Sequence, residues 1–304
     1  MKAILIAALI AASAGAARAD DNITIGLFAP TAPMGGTGDR VSFVNGLADH
    51  LAGASGGKKV TGKVFSSAGA FAAAVKKGEI QFAVVDAPYA AAVGLPYKIL
   101  GSATHGGSAT SAWLMVARPG VARLADLKGR KIVTPTIGAK EQAFVTNALL
   151  DGEVDPTFFG GILEATDARS AVAMVSAGKA DAALVPSGVD SGGLSTVMTL
   201  RAVGLPMFVA LPGAPDDLTR AFGSAIGTFS GGGAITGFTA GDAGKYRALA
   251  GSFGRDTKRG PMAVPPPARL TVREILEGRT FTLPPTNVLD LVVAPKVASA
   301  NALK

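Results

Sequence analysis

The sequence contains no cysteine and only two histidines among its 304 residues. Without cysteine there is no disulfide framework, zinc ribbon, iron–sulfur cluster or thiol nucleophile. The two histidines, His50 and His105, are not spaced as a pair of metal ligands, and the phosphate-loop, zinc-protease and dinucleotide-binding motifs are all missing. We therefore expect no metal site, no cofactor and no enzymatic activity.

The chain also has few aromatic residues and no long apolar run beyond its first twenty residues. A membrane-spanning helix needs roughly 18 or more consecutive apolar residues. A nucleic-acid surface usually combines clustered basic residues with stacking aromatics, whereas aromatics here are 6% of the chain and the formal net charge of +7 is scattered. The sequence therefore predicts neither a membrane-spanning protein nor a nucleic-acid partner.

The first residues have the pattern of an export signal. Lys2 supplies a positive start, residues 3–12 form a short apolar run, and Ala17-Arg18-Ala19 matches an A-x-A cleavage site. We expect cleavage after Ala19, a mature chain that starts at Asp20, and a periplasmic location.

Apolar, β-branched segments alternate with segments of helical periodicity, which is typical of an α/β architecture with a mostly parallel sheet. The predicted strands are 23–29, 60–66, 80–85, 131–134, 161–165, 182–185, 196–203 and 206–211, and the predicted helices are 40–51, 68–77, 139–150, 167–177 and 215–229.

Residues 75–85 are echoed one hundred positions later by residues 175–185. Each copy reads as the last turn of a helix, a glycine stop and a strand, and both contain Gly-x4-Ala-x-Val. Chance similarity is the alternative, because alanine, valine and glycine are abundant. The echo predicts two similar lobes: 20–118 with 206–253 as lobe 1, and 119–205 as lobe 2. Two crossings between lobes would make a hinge, and 254–304 would be a C-terminal extension.

The paired Gly-x4-Ala-x-Val units, the Leu-Lys-Gly-Arg-Lys-Ile-Val segment at 127–133 and the export signal carry a family resemblance. Over about residues 22–230 the chain resembles type 2 periplasmic solute-binding proteins, in their phosphonate-binding and sulfonate-binding branch. The resemblance implies a two-lobed α/β fold with a hinge and an inter-lobe cleft. It further implies a non-enzymatic, monomeric protein that delivers a small-molecule ligand to the membrane permease of an ABC-type transporter.

Ligands of open α/β sheets sit beyond the carboxyl ends of the strands, so the turns after the strands supply the candidate site. Several candidates also fit simpler roles: Asp86 as a turn cap, His105 as an exposed loop residue and Lys140 as a solvated side chain. The candidate ligand-binding residues are Thr31, Met34, Asp86, Tyr89, His105, Thr136, Ile137, Lys140 and Ser187.

Two ligand classes stay open. The family resemblance favours a phosphonate-like oxyanion, held by the hydroxyls of Thr136 and Ser187 and by backbone amides at a helix start. The turn Pro135–Ala139, however, carries one hydroxyl beside the apolar Ile137. Such a turn favours an apolar ligand such as a sterol or lipid.

Two other functions are weaker alternatives. Residues 53–57 match G-x-S-x-G, and Ser55 with Lys58 matches S-x-x-K, which would suit an exported serine hydrolase. Both matches fall in a glycine-rich loop after a helix, whereas a nucleophile elbow joins a strand to a helix. An envelope scaffold or chaperone is supported only by the tail after Gly254.

Overall fold

The computed structural model of the protein describes residues 22–94, 96–138 and 140–254. The expected export signal and the expected extension after Gly254 lie outside the described residues. No helix in the described ranges combines the length and apolarity needed to cross a bilayer.

The described chain alternates strands and helices. The strands are β1 (Asn22–Phe28), β2 (Lys59–Val64), β3 (Phe82–Val85), β4 (Lys98–Thr104), β5 (Thr110–Ala117), β6 (Lys131–Pro135), β7 (Gly161–Ala165), β8 (Ala182–Pro186), β9 (Ser195–Gly204), β10 (Met207–Ala210) and β11 (Gly237–Thr239). The helices are α1 (Thr37–Ala52), α2 (Ala68–Lys76), α3 (Ala87–Val93), α4 (Glu141–Ala143), α5 (Ala168–Ser176), α6 (Asp216–Ala225) and α7 (Ala243–Phe253). Helix α4 continues as a π-helical segment, Phe144–Leu149, and short 3-10 turns occupy Leu124–Leu127 and Ile226–Thr228.

The strands form two mixed sheets, where the sequence predicted mostly parallel pairing. The first has the order β11-β4-β10-β3-β1-β2, and the second has the order β7-β6-β8-β5-β9. Strand β1 is parallel to β2 and β3, and β6 is parallel to β7 and β8. Strands β5 and β10 are antiparallel to both neighbours. Each of these two strands enters its sheet directly from the other sheet, so no helical crossover sets it parallel.

The chain crosses between the sheets twice. It leaves the first sheet after β4, at residues 105–109, and returns after β9, at residues 205–206. Strand β5 therefore belongs to the second sheet, and the expected boundary at 118/119 falls directly after it. Below, lobe 1 denotes the first sheet with its helices, and lobe 2 denotes the second sheet with its helices.

Each sheet is covered by apolar side chains on both faces. In lobe 1, Val44, Leu47 and Leu51 of α1 pack on one face, while Phe71 of α2 packs on the other. In lobe 2, Phe144 packs on one face and Val172 of α5 on the other. Burial of apolar surface on both faces fixes the sheets, and it places the loops at the strand ends where a site can form.

The structure confirms the sequence echo. Helices α2 and α5 begin and end exactly one hundred residues apart, and each leads into a strand at the centre of its sheet. Their N-cap side chains, Ser67 and Asp167, each accept a backbone N–H three residues on. Gly78 and Gly178 follow the helices with φ of 69° and 74°, a left-handed conformation that favours glycine.

Candidate functional site

The candidate residues gather where strands of both sheets end. In lobe 1, strands β1, β3 and β4 run in one direction, so their carboxyl ends lie at one edge of the sheet. In lobe 2, the carboxyl ends of β6, β7 and β8 lie together in the same way. The turns that follow these strands carry the polar and aromatic side chains described next.

The two edges meet at Gly138. A Cβ atom placed on Gly138 would overlap the Cβ of Ala68 and would lie 3.0 Å from the ring of Tyr89. Ala68 begins α2 and Tyr89 lies in α3, so a turn of lobe 2 rests directly on lobe 1. Gly138 also has φ of +78°, so both its backbone conformation and its surroundings require glycine. Gly138 is not among the site residues predicted from the sequence.

On the lobe 1 side, Asp86 is completely buried and joins two turns. Its Oδ2 accepts the backbone N–H of Thr31 at 2.6 Å, while its Oδ1 has no hydrogen-bond partner in the described part of the chain. Burial raises the pKa of Asp86 to about 7, against the opposing effects of the Thr31 hydrogen bonds and the Arg40 charge. Although Asp86 precedes α3, its side chain makes no capping hydrogen bond there. Its carboxylate instead holds the turn after β1.

Arg40 holds the same turn from the other side. It lies in α1, is 9% exposed, and donates from Nη1 to the carbonyl of Ala29 at 2.8 Å. Its Nη2 is buried without a hydrogen-bond partner in the described chain. Arg40 was not predicted from the sequence, because an arginine early in a helix usually points to solvent and only the fold shows that this one turns inward.

Tyr89 supplies an aromatic wall beside these charges. The ring makes edge-to-face contacts with Phe28 and Phe71, at centroid distances of 4.8 and 5.7 Å. It is 2% exposed, and burial raises the pKa of its phenol above the ordinary value. Tyr89 therefore presents a rigid surface that Gly138 of lobe 2 contacts.

On the lobe 2 side, the expected anion-binding hydroxyls are already engaged. Thr136 donates from Oγ1 to the Glu164 carboxylate at 3.0 Å and accepts the N–H of Gly138 at 3.2 Å. The Oγ atoms of Ser187 and Ser111 are 3.0 Å apart. Glu164 of β7 pairs with Thr134 of β6. It was not predicted as a site residue, although it lies at the end of a predicted strand.

Ile137 and Lys140 flank Gly138 in the same turn region and have opposite environments. Ile137 is fully buried in the lobe 2 core, while Lys140 is exposed with φ of 60°. Ile137 thus anchors the turn, and Lys140 places a positive charge in solvent close to the lobe contact.

Met34 and His105 follow β1 and β4 at this same edge of lobe 1, next to a cavity within the lobe. Met34 lines a cavity of about 620 Å³ together with Phe43, Phe229 and the loop Gly231–Gly233. His105 is exposed, and its Nδ1 lies 3.2 Å from the carbonyl of Gly233 in that loop. All residues that line this cavity belong to lobe 1.

Ser55, the candidate nucleophile of the hydrolase alternative, is a loop residue. Its side chain is 1% exposed, and its hydroxyl hydrogen bonds to the carbonyls of Ala52 and Lys58 at 2.8 and 2.7 Å. These bonds close the loop after α1. The serine is therefore a structural group rather than an exposed nucleophile.

A family model described as the periplasmic substrate-binding protein of phosphonate ABC transporters matches residues 38–234, well over half of the chain. A search of curated proteins found no match.

Solved structures share the fold at low sequence identity. A Xanthomonas citri protein, XAC2383, solved with ATP, is 11% identical, with a TM-score of 0.59 over 77% of this chain and 97% of its own. A binding component of a Pseudomonas aeruginosa ABC phosphonate transporter is 12% identical, with a TM-score of 0.60 over 75% and 85%. PhnD1 from Prochlorococcus marinus, solved with methylphosphonate, is 11% identical, with a TM-score of 0.60 over 76% and 96%. These proteins support the type 2 periplasmic-binding-protein fold, and the family match assigns a substrate-binding component rather than an enzyme. The chain belongs to the family of periplasmic phosphonate-binding proteins of ABC transporters.

Proposed function

We propose that this chain captures a small ligand between its two lobes and presents it, as a monomer, to an ABC-type permease. The observation that carries this proposal is the contact of Gly138 with Ala68 and Tyr89. It brings the strand ends of both sheets together, and ligands of open α/β sheets bind at such ends. Export with cleavage after Ala19 would place the mature protein in the periplasm.

The ligand class that we favour is a phosphonate-like oxyanion. Family membership supports it, and PhnD1, a structural relative, was solved with methylphosphonate. Two cations lie at strand-end turns. Lys140 is exposed beside the turn of Gly138, and Arg40 of α1 binds the turn after β1, with a buried Nη2 that has no hydrogen-bond partner among the described residues. Positive charge attracts an anion to such a cleft, and this attraction weakens as salt is added.

An apolar ligand is the second candidate, because the hydroxyls of Thr136 and Ser187 already contact protein oxygens. The apolar ring of Tyr89 contacts Gly138, which lies in the same turn as Thr136. Burial of apolar ligand surface stabilises a complex by about 25 cal/mol per Å², with little dependence on salt.

Native mass spectrometry of protein purified from its own envelope separates these candidates when combined with a thermal-shift screen of phosphonates, sulfonates and sterols. We expect an intact mass that starts at Asp20 and stabilisation by phosphonates. A co-purifying lipid together with no stabilisation by any anion would overturn the oxyanion assignment. If no member of the screen and no co-purifying molecule binds, ligand capture itself is contradicted.

A charge variant tests the contribution of Lys140 to phosphonate binding. Lys140→Gln removes the exposed cation near the contact, and we expect it to weaken phosphonate binding about two- to fivefold at low salt. Lys128→Gln is the matched control, since Lys128 is also exposed in lobe 2 but precedes β6, at the opposite edge of the sheet. Equal affinities of both variants at low salt would remove Lys140 from the site.

A further inference from the structure

Helix α7 packs on both lobes at once. Leu249, in its middle, contacts both the lobe 1 core that contains Tyr89 and the lobe 2 core that contains Trp113. Tyr246 belongs to the first of these cores and Phe253 to the second. The last helix in the described part of the chain therefore bridges the two lobes, in addition to the two chain crossings.

The Tyr246 end of α7 contacts the return crossing and the strand that leads into the outgoing crossing. Its hydroxyl donates to the carbonyl of Leu205 at 3.2 Å and lies 3.4 Å from the hydroxyl of Ser102. Leu205 belongs to the return crossing between β9 and β10, and Ser102 lies in β4, whose end leads into the outgoing crossing. The ring is 9% exposed, and burial raises the pKa of the phenol to about 12, so the donor stays protonated.

The Phe253 end of α7 is anchored in lobe 2. Its ring stacks on Phe144 with centroids 6.1 Å apart, and Phe144 meets Trp113 edge-to-face at 5.1 Å. Trp113 lies in β5, the first strand after the outgoing crossing. Phe253 is 8% exposed, so this anchor is part of the lobe 2 core.

A helix with one end packed in the lobe 1 core, at Tyr246, and the other end packed in the lobe 2 core, at Phe253, restricts how the lobes move. The eleven residues of α7 form a rod of about 16 Å, which does not stretch to follow a hinge motion. Opening the lobes must therefore strain or break one anchor, because packed interfaces switch between arrangements and do not deform continuously.

We propose that α7 is a third link between the lobes and that Tyr246 and Phe253 are positioning residues that favour the closed arrangement. They set ligand affinity without touching the ligand, because a smaller closed fraction lowers apparent affinity in proportion. This inference rests on the proposed capture of a ligand by lobe closure.

The absence of cysteine gives a direct test. Cysteines introduced at two exposed positions, Ser66 in lobe 1 and Arg169 in lobe 2, allow two spin labels to report the inter-lobe distance distribution of the full chain. We measure this distribution without ligand in the parent, in Phe253→Ala and in Tyr246→Phe. Phe238→Ala is the matched control, since Phe238 is 7% exposed and belongs only to a lobe 1 core.

We expect Phe253→Ala and Tyr246→Phe to shift the distribution toward longer distances, with the open-to-closed ratio raised about tenfold or more for Phe253→Ala. Phe238→Ala should lower the melting temperature with no change in distance. Superimposable distributions for the parent and both α7 variants, or a shift toward shorter distances, would overturn the proposal. Tyr246→Phe removes only a hydroxyl, so the test stands even if Phe253→Ala does not fold. The distances are read without ligand, so a failure here is distinct from a failure of any compound to bind.

Discussion

Folding removes the carboxylate of Asp86 entirely from water, and this has a measurable consequence for stability. Burial raises its pKa from 3.8 to about 7. Between these two values the folded protein holds a proton that the unfolded chain has released. The free energy of unfolding should therefore fall as pH rises from 4 to 7, by up to about 4 kcal/mol, and level off above pH 7.

Asp86→Asn isolates this contribution, because the amide oxygen can still accept the N–H of Thr31 but the side chain no longer ionises. We expect the variant to be more stable than the parent at pH 8, with the gap closing as pH falls toward 4. Urea unfolding at pH 4, 6 and 8 measures it. A stability difference that stays constant across this range would show that Asp86 does not titrate there.

At the scale of single elements, the repeated helix–strand unit tests the importance of capping. The Asp167 carboxylate accepts the N–H of Ser170 at 2.8 Å at the start of α5. Asp167→Ala leaves that donor without its partner and should lower the free energy of unfolding by about 1 kcal/mol. Asp167→Ser, which copies Ser67 at the start of α2, should recover most of the loss. Chemical denaturation compares the three proteins, and an equal loss for both variants would contradict a capping role.

The helices and strands also show which elements can be predicted from sequence patterns. Helices α2 and α5 were predicted to within a residue or two, because a cap, an apolar stripe and a glycine stop are all local signals. The residues after β3 were expected to form a turn, but they form helix α3, and Pro88 is well tolerated in its first turn. Strands β4 and β11 and helix α7 were not predicted either. Each contains glycine or lies next to it, and each depends on packing against distant elements.

In the candidate site, too, some features could be predicted from the sequence and others could not. Strand ends are readable from sequence, so Thr31, Asp86, Tyr89, Thr136 and Ile137 were placed at the sheet edges. Hydrogen-bond partners are not readable, because Arg40 and Glu164 reach their partners only through the fold. The cavity beside Met34 and the contact of His105 with Gly233 likewise depend on the path of the 229–234 loop.

For the whole molecule, the lobe contact depends on a glycine with no side chain. Gly138→Ala adds a methyl group that overlaps Ala68, so we expect it to hold the lobes apart and to weaken ligand binding at least about tenfold. Small-angle scattering at saturating ligand, with a compound taken from the thermal-shift screen, should show a less compact molecule than the parent.

Gly188→Ala separates this steric effect from backbone strain. Gly188 lies in the turn after β8 with φ of +91°, comparable to +78° at Gly138, yet a Cβ there has nothing within 4 Å. Both variants bear the cost of a left-handed alanine, about 1 kcal/mol, but only one adds an atom between the lobes. We therefore expect Gly188→Ala to bind and compact like the parent despite a lower melting temperature. If Gly138→Ala also binds and compacts like the parent, the lobe contact seen here is not part of the ligand-bound state.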